Sequence, residues 1–253
     1  MSTGVVLLTG ATGKIGMVLV RHLCSNHWHV VAVTRDRKRA LQKFDEVLKG
    51  VPGNLDIVES DLLAENALEA LTLQLHDREI SITHLVNNAR SRDSLVLQED
   101  GTASPEKFHE EFDLNVVQPY RLVMMLAGSE EHDLRVVVNV GSMYGLVAPT
   151  PALYEGSLTQ SPVQYGVSKA ALHHLTRELA VRLAPKVRVN CVAFGGVAGR
   201  ADTQFMERYA TLCPSGRMLD EQEVAGPVEF LLSEASSSVN GHVLVCDGGW
   251  SIW

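Results

Sequence analysis

A single α/β domain built on one doubly wound parallel sheet of about seven strands, with helices on both faces, is the fold this sequence predicts. Three observations carry that expectation. Short runs rich in Val and Ile alternate with longer amphipathic segments along the whole chain. Most of the runs lack polar alternation, as strands buried on both faces do, and such strands belong to parallel sheets. The first run leads straight into a glycine turn and a helix start.

The predicted strands fall at residues 5–8, 30–33, 55–58, 84–87, 136–140, 187–192 and 243–246. Helical stretches are expected at 17–23, 67–79, 105–126 and 165–184. Strand, helix and strand in succession imply right-handed crossovers. No Pro/Gly/Ser tract divides the 253 residues, so the whole chain, 1–253, reads as one domain. Residues 148–162 hold three prolines and no clear period; a loop this long in a compact domain is often functional, and it is expected to border the substrate. A second substrate-side segment is expected at about 195–220.

Composition narrows the classes. Lys and Arg number 22 against 30 Asp and Glu, a formal charge of −8, which argues against a nucleic-acid surface. Cys24, Cys191, Cys213 and Cys246 lie far apart, with no metal-ligand spacing, so reduced thiols and no metal are expected. The opening apolar run is too short for a signal peptide, and no window reaches a membrane span. A cytoplasmic protein with a small-molecule substrate follows as the expectation.

Thr9-Gly10-Ala11-Thr12-Gly13-Lys14-Ile15-Gly16 follows the first strand. Glycines there let the backbone turn tightly and approach a pyrophosphate, and the N–H groups at the helix start hold the phosphates. The second strand runs out into Arg35-Asp36, where the ribose 2′ group lies in such folds. Arg35 together with Lys14 favours a 2′-phosphate, hence NADP(H). Asp36 keeps NAD(H) open.

Tyr165 and Lys169 stand four residues apart on one predicted helix, so they share a face. A nearby ammonium lowers the pKa of a phenol toward the range useful for proton transfer. Taken alone, the pair recurs by chance. Ser142 adds weight by following a buried strand at the carboxyl edge of the sheet, where ligands bind in open α/β sheets. Asn88 and Ala89 follow another strand at the same edge. Asn115 lies four residues before Pro119, which has no N–H, so the Asn115 carbonyl loses its helical donor. That freed oxygen could hold a water relaying protons through Lys169 to Tyr165; the other reading is a plain proline kink. His173 and His174, further along the helix, read as packing residues. Arg90 and Arg92 beside the site could bind an anionic substrate group or simply face solvent.

These residues resemble the short-chain dehydrogenase/reductase family over essentially the whole chain. The glycine loop, Asp61-Leu62, Asn87-Asn88-Ala89, the set Asn115, Ser142, Tyr165 and Lys169, and Asp247-Gly248-Gly249 match its motifs in order. The resemblance implies a Rossmann-type domain and a homodimer or homotetramer. It implies a nicotinamide cofactor held by Gly10, Thr12, Gly13, Lys14, Ile15, Gly16, Arg35, Asp61, Leu62, Asn88, Ala89, Tyr165, Lys169, Gly195 and Val197. Catalysis would rest on Asn115, Ser142, Tyr165 and Lys169: hydride transfer between the nicotinamide and a carbonyl or secondary alcohol. Lys14, Arg90, Phe194 and Gly199 stand where the family more often has glycine, glycine, proline and threonine. The stretch from Ser142 through Tyr154-Glu155-Gly156-Ser157 to Tyr165 is similar to oxidoreductases of bacterial surface-sugar and flagellin-modification pathways, which implies a sugar-derived substrate. The alternatives are a 3-oxoacyl-carrier-protein-type reductase and a nucleotide-binding protein without catalysis.

Overall fold

The computed structural model describes residues 4–155, 160–199 and 201–253. Strands β1 (Val5–Leu8), β2 (His29–Thr34), β3 (Asn54–Glu59), β4 (His84–Asn87), β5 (Val136–Ser142), β6 (Arg188–Phe194) and β7 (Val243–Cys246) form one parallel sheet in the order β3-β2-β1-β4-β5-β6-β7. The chain reverses direction across the sheet between β1 and β4, and ligands bind outside the carboxyl ends of strands at such a point.

The lack of polar alternation has a direct structural cause. Within one strand, neighbouring side chains enter opposite cores. Val6, Leu8, Val30, Ala32, Val136, Val138 and Val140 pack on one side, with α1 (Lys14–Ser25) and α8 (Ala225–Leu232). Leu7, Val31, Val33, Leu85, Val137 and Val189 pack on the other, with α3 (Ala67–His76) and α5 (Gln118–Gly128). Both faces of the central strands are covered, so those strands are mostly apolar, and the buried asparagines Asn87, Asn139 and Asn190 each make a side-chain hydrogen bond; the edge strand β3 carries exposed polar residues.

The remaining helices are α2 (Arg37–Val47), α4 (Pro105–Phe112), α6 (Val163–Leu183) and α7 (Thr203–Leu212). The helical stretch expected at 105–126 is interrupted. A π turn, Asp113–Val117, joins α4 to α5, and the Gln118 N–H bonds back to the Asp113 carbonyl five residues earlier. Pro119 supplies the reason, since it cannot donate to the Asn115 carbonyl and widening the turn relieves its ring. The plain kink is thus replaced by a wider turn.

The loop at 148–162 contains a 3-10 turn, Pro151–Tyr154; Gly156 and Ser157 lie outside the described residues. The segment at 195–220 carries α7, and Arg200 also lies outside them. Trp250 is buried and stacks on Tyr209 at 4.5 Å, whereas Ile252 and Trp253 are exposed. Among the described residues, no helix is long and apolar enough to cross a membrane.

Two buried histidines give the fold a pH dependence. His84 stands edge-on to Trp28, with ring centroids 4.9 Å apart, and burial followed by the Arg135 and Arg188 charges pushes its pKa down to about 4. His173, expected as a surface or interface residue, is buried in α6; burial, then Lys169 and Arg177, push it to about 4 as well. His174 beside it is exposed. Both folded values lie below the ordinary 6.5, so below that pH the unfolded chain binds the extra protons. Stability is therefore expected to be full above pH 6.5 and to fall progressively towards pH 4, by up to about 3 kcal/mol per histidine. Urea unfolding at pH 7.5 and 4.5 measures it.

Candidate active site

The glycine turn is shaped by close backbone approach. Gly10 has φ +64°, and a Cβ there would lie 2.7 Å from the Ala89 Cα. A Cβ on Gly16 would lie 2.3 Å from the Gly10 carbonyl oxygen. Thr9 ties this turn to the end of β4: its hydroxyl oxygen accepts from the Asn88 and Ala89 N–H groups, both at 3.0 Å. The Asn88 amide in turn donates to the Thr9 and Gly10 carbonyls at 3.0 and 3.2 Å. Asn88 therefore acts as a clamp on the glycine loop.

Helix α1 starts from Gly13, with no side-chain cap and no acidic residue in its first turn. Its leading N–H groups and positive dipole end are thus left to an outside acceptor. With Gly10, Gly13 and Gly16 keeping side chains out of the way, the cradle fits a diphosphate. Ile15 packs at the margin of the core, and the Thr12 carbonyl accepts from Lys43 Nζ at 2.9 Å. Lys43 is a contact the sequence reading passed over.

At the ribose end, Arg35 is exposed just beyond β2. Asp36 is engaged as the cap of α2, its Oδ1 accepting from the Arg39 N–H at 2.9 Å. Lys14 does not join Arg35 there. Its Nζ lies 3.1 Å from Glu221 Oε1 and 3.4 Å from the Val197 carbonyl, so it braces the glycine loop against the 195–220 segment. The expected two-cation site reduces to Arg35 because Glu221 offers Lys14 a closer opposite charge. Asp61 is exposed, with Oδ1 accepting from the Leu63 N–H; Leu62 is buried behind it. Gly195 lies against β7, where a Cβ would fall 2.8 Å from the Asp247 Cα, and Val197 bridges to Leu219.

The proton-handling residues converge at the ends of β4 and β5. Ser142 closes β5, and its Oγ accepts from the Tyr144 N–H at 3.2 Å. Tyr165 sits in the first turn of α6, with Lys169 one turn on; Lys169 Nζ is 5.9 Å from the phenol ring centroid and donates to the Val140 carbonyl at 2.8 Å. The phenol pKa was expected to be depressed by Lys169. Instead burial raises it above the ordinary value, opposed first by the Arg90 guanidinium and then by a hydrogen bond with Ser142. Arg90 lies over the ring at 5.3 Å from its centroid, and no carboxylate among the described residues pairs with it. Lys169 is itself pushed down to about 8, by burial first, with Glu111 acting the other way.

Asn115 enters this cluster from the π turn. Its Nδ2 donates to the Glu111 carbonyl at 3.1 Å, to Glu111 Oε1 at 2.5 Å and to Ser168 Oγ at 3.2 Å. Its Oδ1 is buried without a protein partner. A cavity of about 10 Å³ lies between Thr9, Asn87, Asn115, Pro119 and Lys169, room for about one water. Next to the site, the Tyr144 and Tyr154 hydroxyls meet at 2.8 Å within a small core cluster, and Arg208 pins the 3-10 turn through Glu155 at 2.7 Å and the Leu153 carbonyl at 3.0 Å.

The structure thus brings Asn115, Ser142, Tyr165 and Lys169 together beside the glycine cradle, and leaves Lys14 out of the ribose end. Sequence reasoning missed Glu111, fully buried one helical turn before Asn115, and the Tyr144–Tyr154 pair. Spacing four residues before Asn115 was the only signal for the first.

Comparison with known proteins follows the same lines. A family profile described as Enoyl-(Acyl carrier protein) reductase matches residues 10–251. An uncharacterized oxidoreductase, YmfI, of Bacillus subtilis is 31% identical over 96% of this chain and 97% of its own. Post-translational flagellin modification protein A of Campylobacter coli is 27% identical over 98% of each chain. Among solved structures, the Pseudomonas aeruginosa RhlG/NADP active-site complex superposes with a TM-score of 0.84, at 25% identity, over 99% of this chain and 97% of the other. Further similar structures hold NAD+ or NADP. With seven parallel strands, a glycine cradle and this match along nearly its full length, the chain belongs to the short-chain dehydrogenase/reductase family and is a nicotinamide-dependent oxidoreductase acting on alcohols or carbonyls.

Proposed function

We propose that the chain interconverts a carbonyl and a secondary alcohol on a hydroxyl-rich, sugar-derived molecule, using NADP(H) in preference to NAD(H). The observation that carries the chemistry is Tyr165, with Lys169 one turn along and Ser142 beside it, at the sheet edge next to the glycine cradle. The cofactor, when bound, supplies or accepts the hydride. Glycines 10, 13 and 16 and the start of α1 would hold its diphosphate, and Asn88 keeps that cradle closed.

The chain's own residues move the proton. For reduction, Tyr165 Oη donates to the substrate oxygen, while the Ser142 hydroxyl donates to the same oxygen and orients it. Lys169 offsets the negative charge left on the phenolate and bonds the cofactor ribose. A water in the cavity between Asn115 and Lys169 returns the proton from solvent. Burial holds the free phenol protonated, which suits the acid role.

Support for the substrate class comes from the paired Tyr144 and Tyr154 hydroxyls next to the site and from the relative named for flagellin modification. Arg90 adds a cation beside the phenol for an anionic substituent. Turnover of sugar alcohols, ketoses and oxo-sugar acids, measured by NADPH absorbance against a 3-oxoacyl thioester, tests the reading. Faster turnover of the thioester overturns it in favour of an acyl-carrier-type reductase. We further propose a homodimer or homotetramer acting in the cytoplasm; exposed Val181, Ile252 and Trp253 are apolar surface available to a partner copy.

The cofactor preference rests on Arg35 standing exposed while Asp36 is spent on its helix cap. Arg35→Ala is expected to weaken NADPH binding by about 10- to 100-fold, the loss of one charge-assisted contact, and to leave NADH within about twofold. Fluorescence titration of both cofactors measures it, and tighter NADH binding by the unaltered chain refutes the assignment.

A further inference from the structure

We infer that Lys14 and Glu221 are positioning residues: their ion pair, seated over Gly199, fastens the neck of the 195–220 segment to the glycine loop and so fixes the substrate-side wall of the site against the cofactor cradle. The inference rests on the functional reading above for what that wall does, and adds the residues that hold it.

Lys14 is the first residue of α1, and its ammonium reaches both ends of the segment. Nζ lies 3.1 Å from Glu221 Oε1 and donates to the Val197 carbonyl at 3.4 Å. Val197 and Leu219 are paired across the neck; the Ala198 N–H donates to the Leu219 carbonyl at 2.9 Å, and the Leu219 N–H donates to the Gly196 carbonyl at 2.8 Å. Glu221 is held from its far side, because it opens a 3-10 turn, Glu221–Val224, whose cap Asp220 accepts from the Gln222 N–H at 2.9 Å. The Lys14 side chain is only 16% exposed, so water competes weakly for its ammonium and the pair holds better than one on open surface. Gly199 makes room for it. Its φ is +99°, and a Cβ there would lie 2.7 Å from Glu221 Oε1 and 2.9 Å from Lys14 Nζ, between the two charged ends. Residues 14, 199 and 221 therefore form one contact: a glycine at 14 would leave Glu221 without its partner, and a side chain at 199 would press the pair apart.

What the neck carries gives the tie its consequence. Helix α7 lies within the segment, and the Tyr209 hydroxyl oxygen accepts from the Gly196 N–H at 3.0 Å. From the same helix, Arg208 donates to the Leu153 carbonyl, and Phe205 meets the Tyr154 ring edge-on with centroids 5.9 Å apart. The Tyr154 hydroxyl meets that of Tyr144, whose N–H donates to Ser142 Oγ. Contacts thus run without a gap from the start of α1, through the neck and α7, to the residue that orients the substrate oxygen. Tyr165 and Lys169 stand on α6, outside this chain of contacts. Cutting the tie loosens the wall while the proton-transfer pair stays in place, so the hold on substrate weakens and the chemical step does not.

Two measurements test this on Lys14→Met, Glu221→Gln and the double variant. Both substitutions keep the length of the side chain and remove its charge, and Glu221 is exposed enough for glutamine to be accommodated. The first is amide hydrogen exchange of the protein without cofactor or substrate. Residues 196–221 are expected to exchange about 5-fold faster in Glu221→Gln and about 10-fold faster in Lys14→Met, which also loses the Val197 contact, while β5 is unchanged. The double variant is expected to exchange no faster than Lys14→Met, since the two residues act through one contact. Unchanged exchange at 196–221, effects that add in the double variant, or equal acceleration in β5 overturns the inference. The second is steady-state kinetics with the best substrate from the panel above: KM is expected to rise about 5-fold in each single variant with kcat within about twofold. A fall in kcat at constant KM overturns the positioning role, as does faster exchange with both constants unchanged. Absence of turnover on every panel compound counts against the proposed function alone, and hydrogen exchange then decides the tie.

Discussion

Tyr165→Phe is expected to lower kcat by about 10²- to 10⁴-fold while leaving cofactor affinity within about twofold. The substitution removes one oxygen and nothing else of the ring, so the Arg90 guanidinium keeps its face-on contact and the Lys169 side chain keeps its bond to the Val140 carbonyl. Ser142 still donates to the substrate oxygen, which polarises the carbonyl but cannot deliver a proton at neutral pH. The measurement is NADPH oxidation at saturating substrate, alongside a fluorescence titration of the cofactor. Retained turnover would move the acid role elsewhere, with Tyr144 and Tyr154 the nearest phenols. Burial and the Tyr154 contact raise the Tyr144 pKa far above its ordinary value, which makes it a poor acid.

Gly16→Ala carries the second large effect, on binding rather than on chemistry. The added methyl would lie 2.3 Å from the Gly10 oxygen and 2.7 Å from the Ala11 oxygen. Both are backbone atoms of the cradle, so no side chain can swing aside. Either α1 retreats from the loop or the loop opens, and the N–H groups aimed at the diphosphate lose their common focus. Cofactor Kd is expected to rise by about 100-fold, near 3 kcal/mol, with overpacking costing a further 1–3 kcal/mol of stability. Gly226→Ala, in α8, is the control: its Cβ meets nothing within 4 Å, so cofactor affinity should not change and stability should hold or rise by up to about 1 kcal/mol. Equal affinity in Gly16→Ala would show that the loop tolerates displacement.

The central strands were legible because both faces of the sheet are covered: β5 sends Val136, Val138 and Val140 one way and Val137 the other, and its one buried polar side chain in that run, Asn139, is hydrogen-bonded to Asn87 and Thr176. The glycine loop and the Tyr165–Lys169 face were legible because each depends on spacing along one element. What spacing does not carry is the direction of a long side chain in space. Lys14 sits in the expected loop, yet it turns to Glu221, a residue 207 positions away whose location no local pattern announces. Glu111 is acidic in a sequence that places acids mostly on surfaces, and only the packing of α4 against α6 puts it inside. The Tyr165 phenol shows the same limit in energy. Proximity to an ammonium was readable, but the cost of burial, and the Arg90 guanidinium that first opposes it, depend on everything packed around the ring.

The widened turn at Asp113–Val117 sets a length rule for this region. A helix advances about 100° per residue, so one residue more or fewer ahead of Asn115 would swing its side chain by roughly a quarter of a revolution. Shortening the turn by a residue would yield a smoother rod and turn the amide away from Glu111 and Ser168. Apart from Asn115 itself, substitutions there leave the spacing intact, whereas insertions and deletions do not. The irregularity works as a spacer: its count of residues keeps Asn115 in line with the cluster it joins.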